Sequence, residues 1–154
     1  MSVLQSLLFV ALGTSYIWGA GNLKDAPKAG PGGFETKHGR GFDCSGFAQW
    51  ALYILGIVPA TMWGDMNAAD LANACEPVKL KPSLTIGDLV FYGGHHISHV
   101  MVYCGNGMVI GATGGGSQTF GNDPNACVQC RPIGYRGDFV VFGRIKKEFR
   151  AAQA

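Results

Sequence analysis

Cys44 stands at the junction between a glycine-containing loop and an apolar helical run, and this junction constrains the chain more than any other feature. From Phe47 onward, apolar residues recur at three- and four-residue steps, and Gly56 is a natural helix stop. Asp43 or Ser45 can cap the helix, because a short side-chain oxygen accepts hydrogen bonds from the free N–H groups there. The pattern predicts a helix that begins at Cys44 and runs to about residue 55.

A cysteine at a helix start has two plausible roles. The helix dipole is positive there and N–H groups are unpaired, a setting expected to lower the pKa of the Cys44 thiol and favour the reactive thiolate. The alternative is a buried structural cysteine, because free cysteine is among the most buried residue types. This segment alone leaves both interpretations open.

The composition is that of a folded protein. At 154 residues the chain is long enough to bury a core, and we predict a single domain over residues 1–154. A hydrophobic content of 47% with 14% charged residues excludes a disordered chain. A net charge of +2 gives no argument for nucleic-acid binding, and the basic run at 144–150 is interpreted as a solvated C-terminal tail. We expect no membrane span, since no apolar stretch is long enough.

The N-terminal apolar run could be mistaken for the core of a signal peptide. No basic residue precedes it, since the first is Lys24. Ser2 and Gln5 have the spacing of a helix capping box. We therefore predict a helix over residues 2–13 that stays in the mature protein, and we expect no export signal.

The chain has five cysteines, an odd number. Four of them, Cys75, Cys104, Cys127 and Cys130, could pair and leave Cys44 free, but no spacing establishes a pair. The C-x-x-C formed by Cys127 and Cys130 lacks the further ligands that zinc requires, and we interpret it as two residues of a strand. We predict no metal site.

The rest of the chain predicts an α+β fold. Residues 22–41 and 111–125 are glycine-rich and are predicted to be long loops. A short helix is expected from Asp65 or Asn67 to Ala74, and the Gly/Asn turn at 105–107 predicts a hairpin. Strands are predicted at 89–92, 99–104, 108–110, 128–133 and 139–143. Helices followed by a run of antiparallel strands are typical of helices packed on one sheet.

A nucleophilic cysteine needs a base within hydrogen-bonding reach. His99 opens a predicted strand directly after a loop, so its side chain could face the start of the Cys44 helix. A structural role for His99 is equally open from the sequence. His38, His95 and His96 lie in loops and are expected to be exposed.

Four ordered motifs resemble those of the NlpC/p60 cell-wall cysteine peptidases. The motifs are Tyr16-Ile17-Trp18-Gly19, Asp43-Cys44-Ser45-Gly46-Phe47, Gly87-Asp88-Leu89-Val90-Phe91, and Ser98-His99-Val100-Met101-Val102-Tyr103 followed by Gly105-Asn106-Gly107. The resemblance covers about residues 3 to 145, and four motifs in the right order and spacing are far more specific than any one alone.

The resemblance implies a papain-like α+β fold, with N-terminal helices packed on a small antiparallel sheet. It also implies an endopeptidase that cleaves peptidoglycan stem peptides between γ-D-Glu and the diamino acid, through a cysteine thioester. Cys44 would be the nucleophile and His99 the general base and acid, with no metal or organic cofactor. Tyr16, Asp43 and Ser45 would bind the substrate.

One position departs from the family pattern. The family usually carries a third polar residue, often His, that orients the base. Counting from the turn at 105–107, this position falls on Gly111, which has no side chain. Loss of an orienting residue can lower the rate by orders of magnitude. The substitutes left open are a backbone carbonyl, a water, or the side chains of Gln118, Asn122, Asp123, His95 and His96.

Two other functions stay open at this point. One is a catalytically silent wall-binding or assembly module on the same fold, and the other is a Cys-His amidase or acyltransferase with another substrate. The intact motif around Cys44 and His99 favours the peptidase.

The chain resembles single-domain phage hydrolases such as endolysins, and delivery by a secretion system is the alternative. We expect a monomer made in the cytoplasm that acts on the cell wall.

Overall fold

The computed structural model describes residues 1–152, which form three α-helices and two antiparallel sheets. The helices are α1 (Val3–Phe9), α2 (Cys44–Ile54) and α3 (Ala68–Asn73). The strands are β1 (Phe34–Thr36), β2 (Gly39–Gly41), β3 (Cys75–Pro77), β4 (Leu89–Tyr92), β5 (His99–Gly105), β6 (Met108–Thr113), β7 (Cys127–Pro132) and β8 (Phe139–Ile145). Single-turn 3-10 helices cover Ala26–Lys28, Lys81–Ser83, Ile133–Tyr135 and Lys147–Phe149.

The larger sheet has six strands in the order β3-β8-β4-β5-β6-β7, and each neighbouring pair is antiparallel. All four residues of β4 are buried, which fits its position inside the sheet. The start of β5 lies at one end of the sheet, where His99 pairs with Tyr92 at the end of β4. The sheet thus places His99 at the boundary between a buried strand and a loop.

Helix α2 is the central element of the larger core. Its first half is buried nearly all round, which is typical of a helix surrounded by protein. The rings of Phe42, Phe47 and Trp50 pack with centroids 5.3 to 5.8 Å apart. Burying a side chain of this kind contributes about 1.5–3 kcal/mol. Gly46 is required in the first turn, because a Cβ there would collide with the carbonyl oxygen of Ala20.

A smaller core covers the opposite face of the sheet. Its buried residues are Leu84, Val90, Tyr92, Met101, Val109 and Ile133. The 3-10 turn Ile133–Tyr135 contributes to this cluster, and the Tyr92 hydroxyl donates a hydrogen bond of 2.7 Å to the Ile133 carbonyl. This bond fixes the turn against the sheet beside the start of β5.

The predicted helix starts are confirmed by their caps. Ser2 and Gln5 form the expected capping box, and the Asp43 side chain accepts from the Gly46 N–H at the start of α2. Asn67 caps α3 in a second capping box. Helix α1 is shorter than the predicted helix over residues 2–13. It ends at Phe9, and residues 10–13 form turns.

The predicted strands are confirmed within one or two residues, except that β6 is three residues longer than predicted, and the two long loops are only partly loops. Residues 22–41 contain a 3-10 turn and the β1–β2 hairpin, and β6 extends to Thr113 at the start of the second segment. Strand β3 was not predicted from the sequence. It has three residues, includes a proline and lies at the sheet edge, where proline is tolerated.

The interpretation of residues 144–150 as a solvated tail is wrong. Arg144 makes a bidentate ion pair with the buried carboxylate of Asp88, at 2.8 and 2.9 Å. Phe149 packs its ring edge-on against Trp63, and the Ala151 N–H donates to the Ile57 carbonyl. Residues 144–151 therefore pack against the rest of the domain.

None of the helices within residues 1–152 has the length and apolarity needed to cross a bilayer.

Candidate active site

A cleft of about 510 Å³ opens at the N-terminus of α2. Segments far apart in sequence form its walls, among them residues 16–19, the start of α2, the start of β5, and the loops at 115–116 and 136. All five residues that the sequence singled out line it, namely Tyr16, Asp43, Cys44, Ser45 and His99. The fold therefore brings the predicted site residues together in one place.

The Cys44 thiol is not acidic in the free protein. Burial raises the pKa of Cys44 to about 11, and the neighbouring charge of Asp43 adds to the increase. The nearby backbone N–H groups of Val100, Ser45 and Cys44 itself oppose the shift, because they favour the thiolate. The expected lowering of this pKa by the helix start is thus wrong, because burial outweighs the helix N–H groups. The effect of the Val100 N–H on this pKa indicates that the sulfur lies near the backbone of β5.

Asp43 lies at the centre of a hydrogen-bond network. Its Oδ1 accepts from the Gly46 N–H at 2.6 Å and its Oδ2 from the Gly19 N–H at 3.1 Å, and the Ser45 hydroxyl donates to Oδ1 at 3.4 Å. Burial raises the pKa of Asp43 to about 6, the nearby charge of Asp65 adds to it, and these donors partly oppose the change. At pH 7 the carboxylate is mainly ionised in the wall of the cleft.

Two aromatic residues of the segment before α2 reach the cleft in different ways. Tyr16 is buried, and burial, with a smaller contribution from the charge of Asp43, raises the pKa of its hydroxyl. The hydroxyl therefore stays protonated and can donate a hydrogen bond. Trp18 is half exposed in the cleft wall and offers an apolar surface to a bound molecule.

His99 is buried at the start of β5. Its Nε2 lies 2.8 Å from the Tyr135 hydroxyl, which in turn lies 3.0 Å from Oγ1 of Thr113. Burial lowers the pKa of His99 to about 4, and the charge of Arg136 lowers it further while that of Asp138 opposes the shift. The imidazole is therefore neutral at pH 7. Within residues 1–152, the hydrogen bonds of the free protein do not join Cys44 to His99.

At Gly111, where the family usually carries the residue that orients the base, the space is occupied by a side chain of the neighbouring strand β5. A Cβ at Gly111 would lie 2.7 Å from Sδ of Met101, so the methionine occupies the space. The side chains of Asn122 and Asp123 accept hydrogen bonds from backbone N–H groups of their own loop. Gln118, His95 and His96 are exposed. In the described part of the chain, none of these candidates bonds to His99.

The sequence missed four residues of this site: Asp65, Thr113, Tyr135 and Arg136. Tyr135 lies 36 residues after its partner His99, in a 3-10 turn outside every motif. Arg136 follows it in the cleft wall and is held by a bidentate pair with Asp138 at 2.7 and 2.9 Å. No periodicity or spacing marks either residue, and contact across the sheet is what brings them to the cleft.

The cysteines are free thiols in the structure. Cys127 and Cys130 lie on β7, as interpreted, and Sγ of Cys130 lies 4.0 Å from Sγ of Cys104. Across residues 1–152, no cluster of three or more His, Cys, Asp or Glu side chains could hold a metal ion.

The fold and the cleft define a papain-like α+β protein with a cysteine at a helix start and a histidine at a strand start. The model of the NlpC/P60 family matches residues 13–129. The chain belongs to the NlpC/P60 family.

Named relatives and solved structures agree with this assignment. The chain is 35% identical over 103 residues to the peptidoglycan endopeptidase RipB of Mycobacterium tuberculosis, covering 67% of this chain and 39% of RipB. It is 34% identical over 140 residues to the bifunctional muramidase/DL-endopeptidase CwlT of Bacillus subtilis, covering 87% of this chain and 33% of CwlT. The chain thus spans less than half the length of these relatives.

The crystal structure of the P60 domain of antigen MAP1204 from M. avium subspecies paratuberculosis superposes with a TM-score of 0.61 at 26% identity. The superposition covers 91% of this chain and 89% of that domain. The shared architecture therefore includes the helices and the sheet on both sides of the cleft.

Proposed function

We propose that this protein is a cysteine peptidase that hydrolyses peptidoglycan stem peptides between γ-D-Glu and the diamino acid. The observation that carries the proposal is the convergence of Cys44, His99 and Asp43 in one cleft. The names of RipB, a peptidoglycan endopeptidase, and CwlT, a DL-endopeptidase, support the substrate class and the bond.

In the proposed reaction the sulfur of Cys44 attacks the γ-carbonyl carbon of D-Glu. Because the resting thiol and imidazole are both neutral at pH 7, the thiol proton moves to His99 as the substrate binds or as the C–S bond forms. His99 then gives this proton to the amine of the diamino acid, which leaves as the C–N bond breaks. Water, activated by His99, hydrolyses the thioester and restores the thiol.

The first turn of α2 can stabilise the oxyanion that forms during attack. The Gly46 N–H is bonded to the Asp43 side chain and the Phe47 N–H to the Asp43 carbonyl. The N–H groups of Cys44 and Ser45 face the sulfur instead. The Cys44 and Ser45 N–H groups are therefore the helix-start donors available to an oxyanion beside Sγ, and we assign this role to the Cys44 N–H.

The acidic wall of the cleft suits the free amine of the first stem residue. The carboxylate of Asp43 is mainly ionised at pH 7, and Asp65 lies close enough that its charge raises the Asp43 pKa. The Tyr16 hydroxyl lies near the same carboxylate, as the effect of Asp43 on its pKa indicates. An ammonium group bound here would set L-Ala against the wall and the γ-D-Glu carbonyl next to Cys44.

The proposal is tested by mass spectrometry of purified muropeptides incubated with the wild type and with Cys44→Ala. We expect fragments ending in γ-D-Glu from the wild type and none from the variant. Cys127→Ala, which removes a half-buried thiol outside the cleft, is the matched control and should cleave like the wild type.

Other outcomes distinguish the alternatives. If the products depend on Cys44 but are cut at a different bond, Cys44 is still the nucleophile and the proposed substrate is wrong. Binding to sacculi without products at any pH from about 5 to 9 would contradict the peptidase and favour the silent wall-binding module.

A further inference from the structure

We propose that Tyr135 is the positioning residue that orients His99, in place of the side chain missing at position 111. The inference deepens the proposed function, because it rests on His99 acting as the base toward Cys44. It assigns a role to a residue that lies beyond the family match at 13–129.

The first argument is the continuous chain of hydrogen-bonding groups behind the imidazole. Nε2 of His99 lies 2.8 Å from the Tyr135 hydroxyl oxygen, and Oγ1 of Thr113 lies 3.0 Å from the same oxygen. Strands β5 and β6 are antiparallel with Val102 opposite Ile110, so counting three residues along each strand sets His99 opposite Thr113. Tyr135 thus bridges two residues that the sheet register already holds side by side.

The second argument is the direction of these bonds. A phenolic hydroxyl has one proton to donate and can accept as well. When Nε2–H of His99 donates to Tyr135, the hydroxyl can donate in turn to Oγ1 of Thr113, so the Tyr135 hydroxyl both accepts and donates. The proton then resides on Nε2 and Nδ1 is left as the basic nitrogen for the Cys44 thiol. The same arrangement persists after His99 becomes an imidazolium, because Nε2–H still donates.

The third argument is that the usual orienting position is closed. Met101 fills the space above Gly111, so a side chain from that position has no room without movement of the methionine. His99 is only 6% exposed, and a buried ring N–H without an acceptor is costly. Tyr135 supplies an acceptor for this N–H at 2.8 Å.

Packing holds the tyrosine where it can act. Its ring meets the Tyr92 ring edge-on with centroids 5.5 Å apart, and the Tyr92 hydroxyl fixes the same 3-10 turn through the Ile133 carbonyl. The ion pair between Arg136 and Asp138 flanks the turn on its C-terminal side. Burial raises the pKa of Tyr135, so the hydroxyl keeps its proton across the working pH range.

The kinetic test compares Tyr135→Phe with the wild type on a defined stem peptide. We expect kcat to fall about tenfold or more with KM within about twofold, because the hydroxyl contacts His99 and not the substrate. Thr113→Val should change kcat in the same direction by less. Tyr103→Phe is the matched control, since its hydroxyl bonds to the Gly107 N–H at the far end of β5, and it should keep wild-type kcat.

The second readout does not depend on turnover. In a Cys44→Ala background, nitrogen-15 NMR of His99 reports which ring nitrogen carries the proton. We expect the Nε2–H tautomer with Tyr135 present, and a smaller Nε2–H fraction in the Tyr135→Phe variant. The Tyr103→Phe control should give the parent spectrum.

The outcomes separate this inference from the proposed function. An unchanged tautomer in Tyr135→Phe, with or without a loss of kcat, would overturn the positioning role and leave Tyr135 as a packing residue. A shifted tautomer in a protein that cleaves no stem peptide would support the contact with His99 and refute the peptidase.

Discussion

At the scale of single residues, Asp43 combines a structural and a proposed functional role in one carboxylate. It caps α2, ties residue 19 to the helix start and lines the cleft. Burial raises its pKa to about 6, so the carboxylate changes its charge just below neutral pH. The affinity for a cationic group bound beside Asp43 should therefore change with pH near 6.

We predict that kcat/KM for a stem peptide with a free N-terminal amine rises with pH through about 6. The sign follows because Asp43 is neutral below this pKa and attracts an ammonium group only when ionised. Above pH about 8 the substrate amine itself loses its proton, and the rate should decline. Steady-state kinetics from pH 5 to about 9 measures the profile.

Asp43→Asn is the matched variant for this prediction, because asparagine is an equally good helix cap and carries no charge. We expect kcat/KM to fall about 10-fold or more and the rise near pH 6 to disappear. The Asp43 charge raises the Cys44 pKa, so its removal makes the thiol more acidic and cannot by itself explain a loss. An unchanged pH profile in the variant would contradict amine binding at Asp43.

Residue-scale inference from the sequence succeeded where local spacing was enough. Asp43 and Cys44 occupy the predicted positions because a helix start is a local pattern. The Cys44 pKa was predicted with the wrong sign, since burial depends on elements that the local sequence does not reveal. Tyr135 was missed because only the folded sheet brings it to His99.

At the scale of elements, α2 is joined to both flanking loops by Gln49. The side chain is fully buried and accepts from the Leu23 and Met66 N–H groups at 3.1 and 3.2 Å. Its amide donates to the carbonyl oxygens of Ser45 and Met66 at 3.1 and 2.9 Å. One glutamine thus satisfies backbone groups from segments 17 and 26 residues away.

We predict that Gln49→Leu lowers the free energy of unfolding by about 2–4 kcal/mol. Leucine has a similar size, but it leaves buried N–H and C=O groups of the two loops without partners. Urea unfolding followed by circular dichroism measures the change. The control Gln118→Leu, on an exposed loop, should stay within about 0.5 kcal/mol of the wild type. A Gln49 variant as stable as the wild type would show that water replaces the lost bonds.

Element prediction from sequence worked for long or strongly apolar runs. The strands β4, β5 and β8 were found because their residues are β-branched, aromatic or buried in a row. The three-residue strands β1, β2 and β3 were missed, because so short a run carries no period. Their pairing depends on partners that hold them in place.

At the scale of the whole molecule, the sheet and α2 fix the two sides of the cleft independently. Cys44 is held by α2 and His99 by β5, and the core between these two elements sets the distance between them. The ordered motifs indicated this α+β architecture, and the family match confirms it. The single domain, the monomer and the phage-type setting stay predictions, because they concern partners and chain context.

The central claim is that the Cys44 sulfur carries the γ-D-glutamyl group as a thioester. The most direct measurement is peptide mapping by mass spectrometry after acid quenching of the wild type mixed with L-Ala-γ-D-Glu-diamino acid substrate. The account predicts the mass of an L-alanyl-γ-D-glutamyl group on the Cys44 peptide, released by hydroxylamine and absent from Cys44→Ala. An adduct on another residue, or continued cleavage by Cys44→Ala, would contradict it.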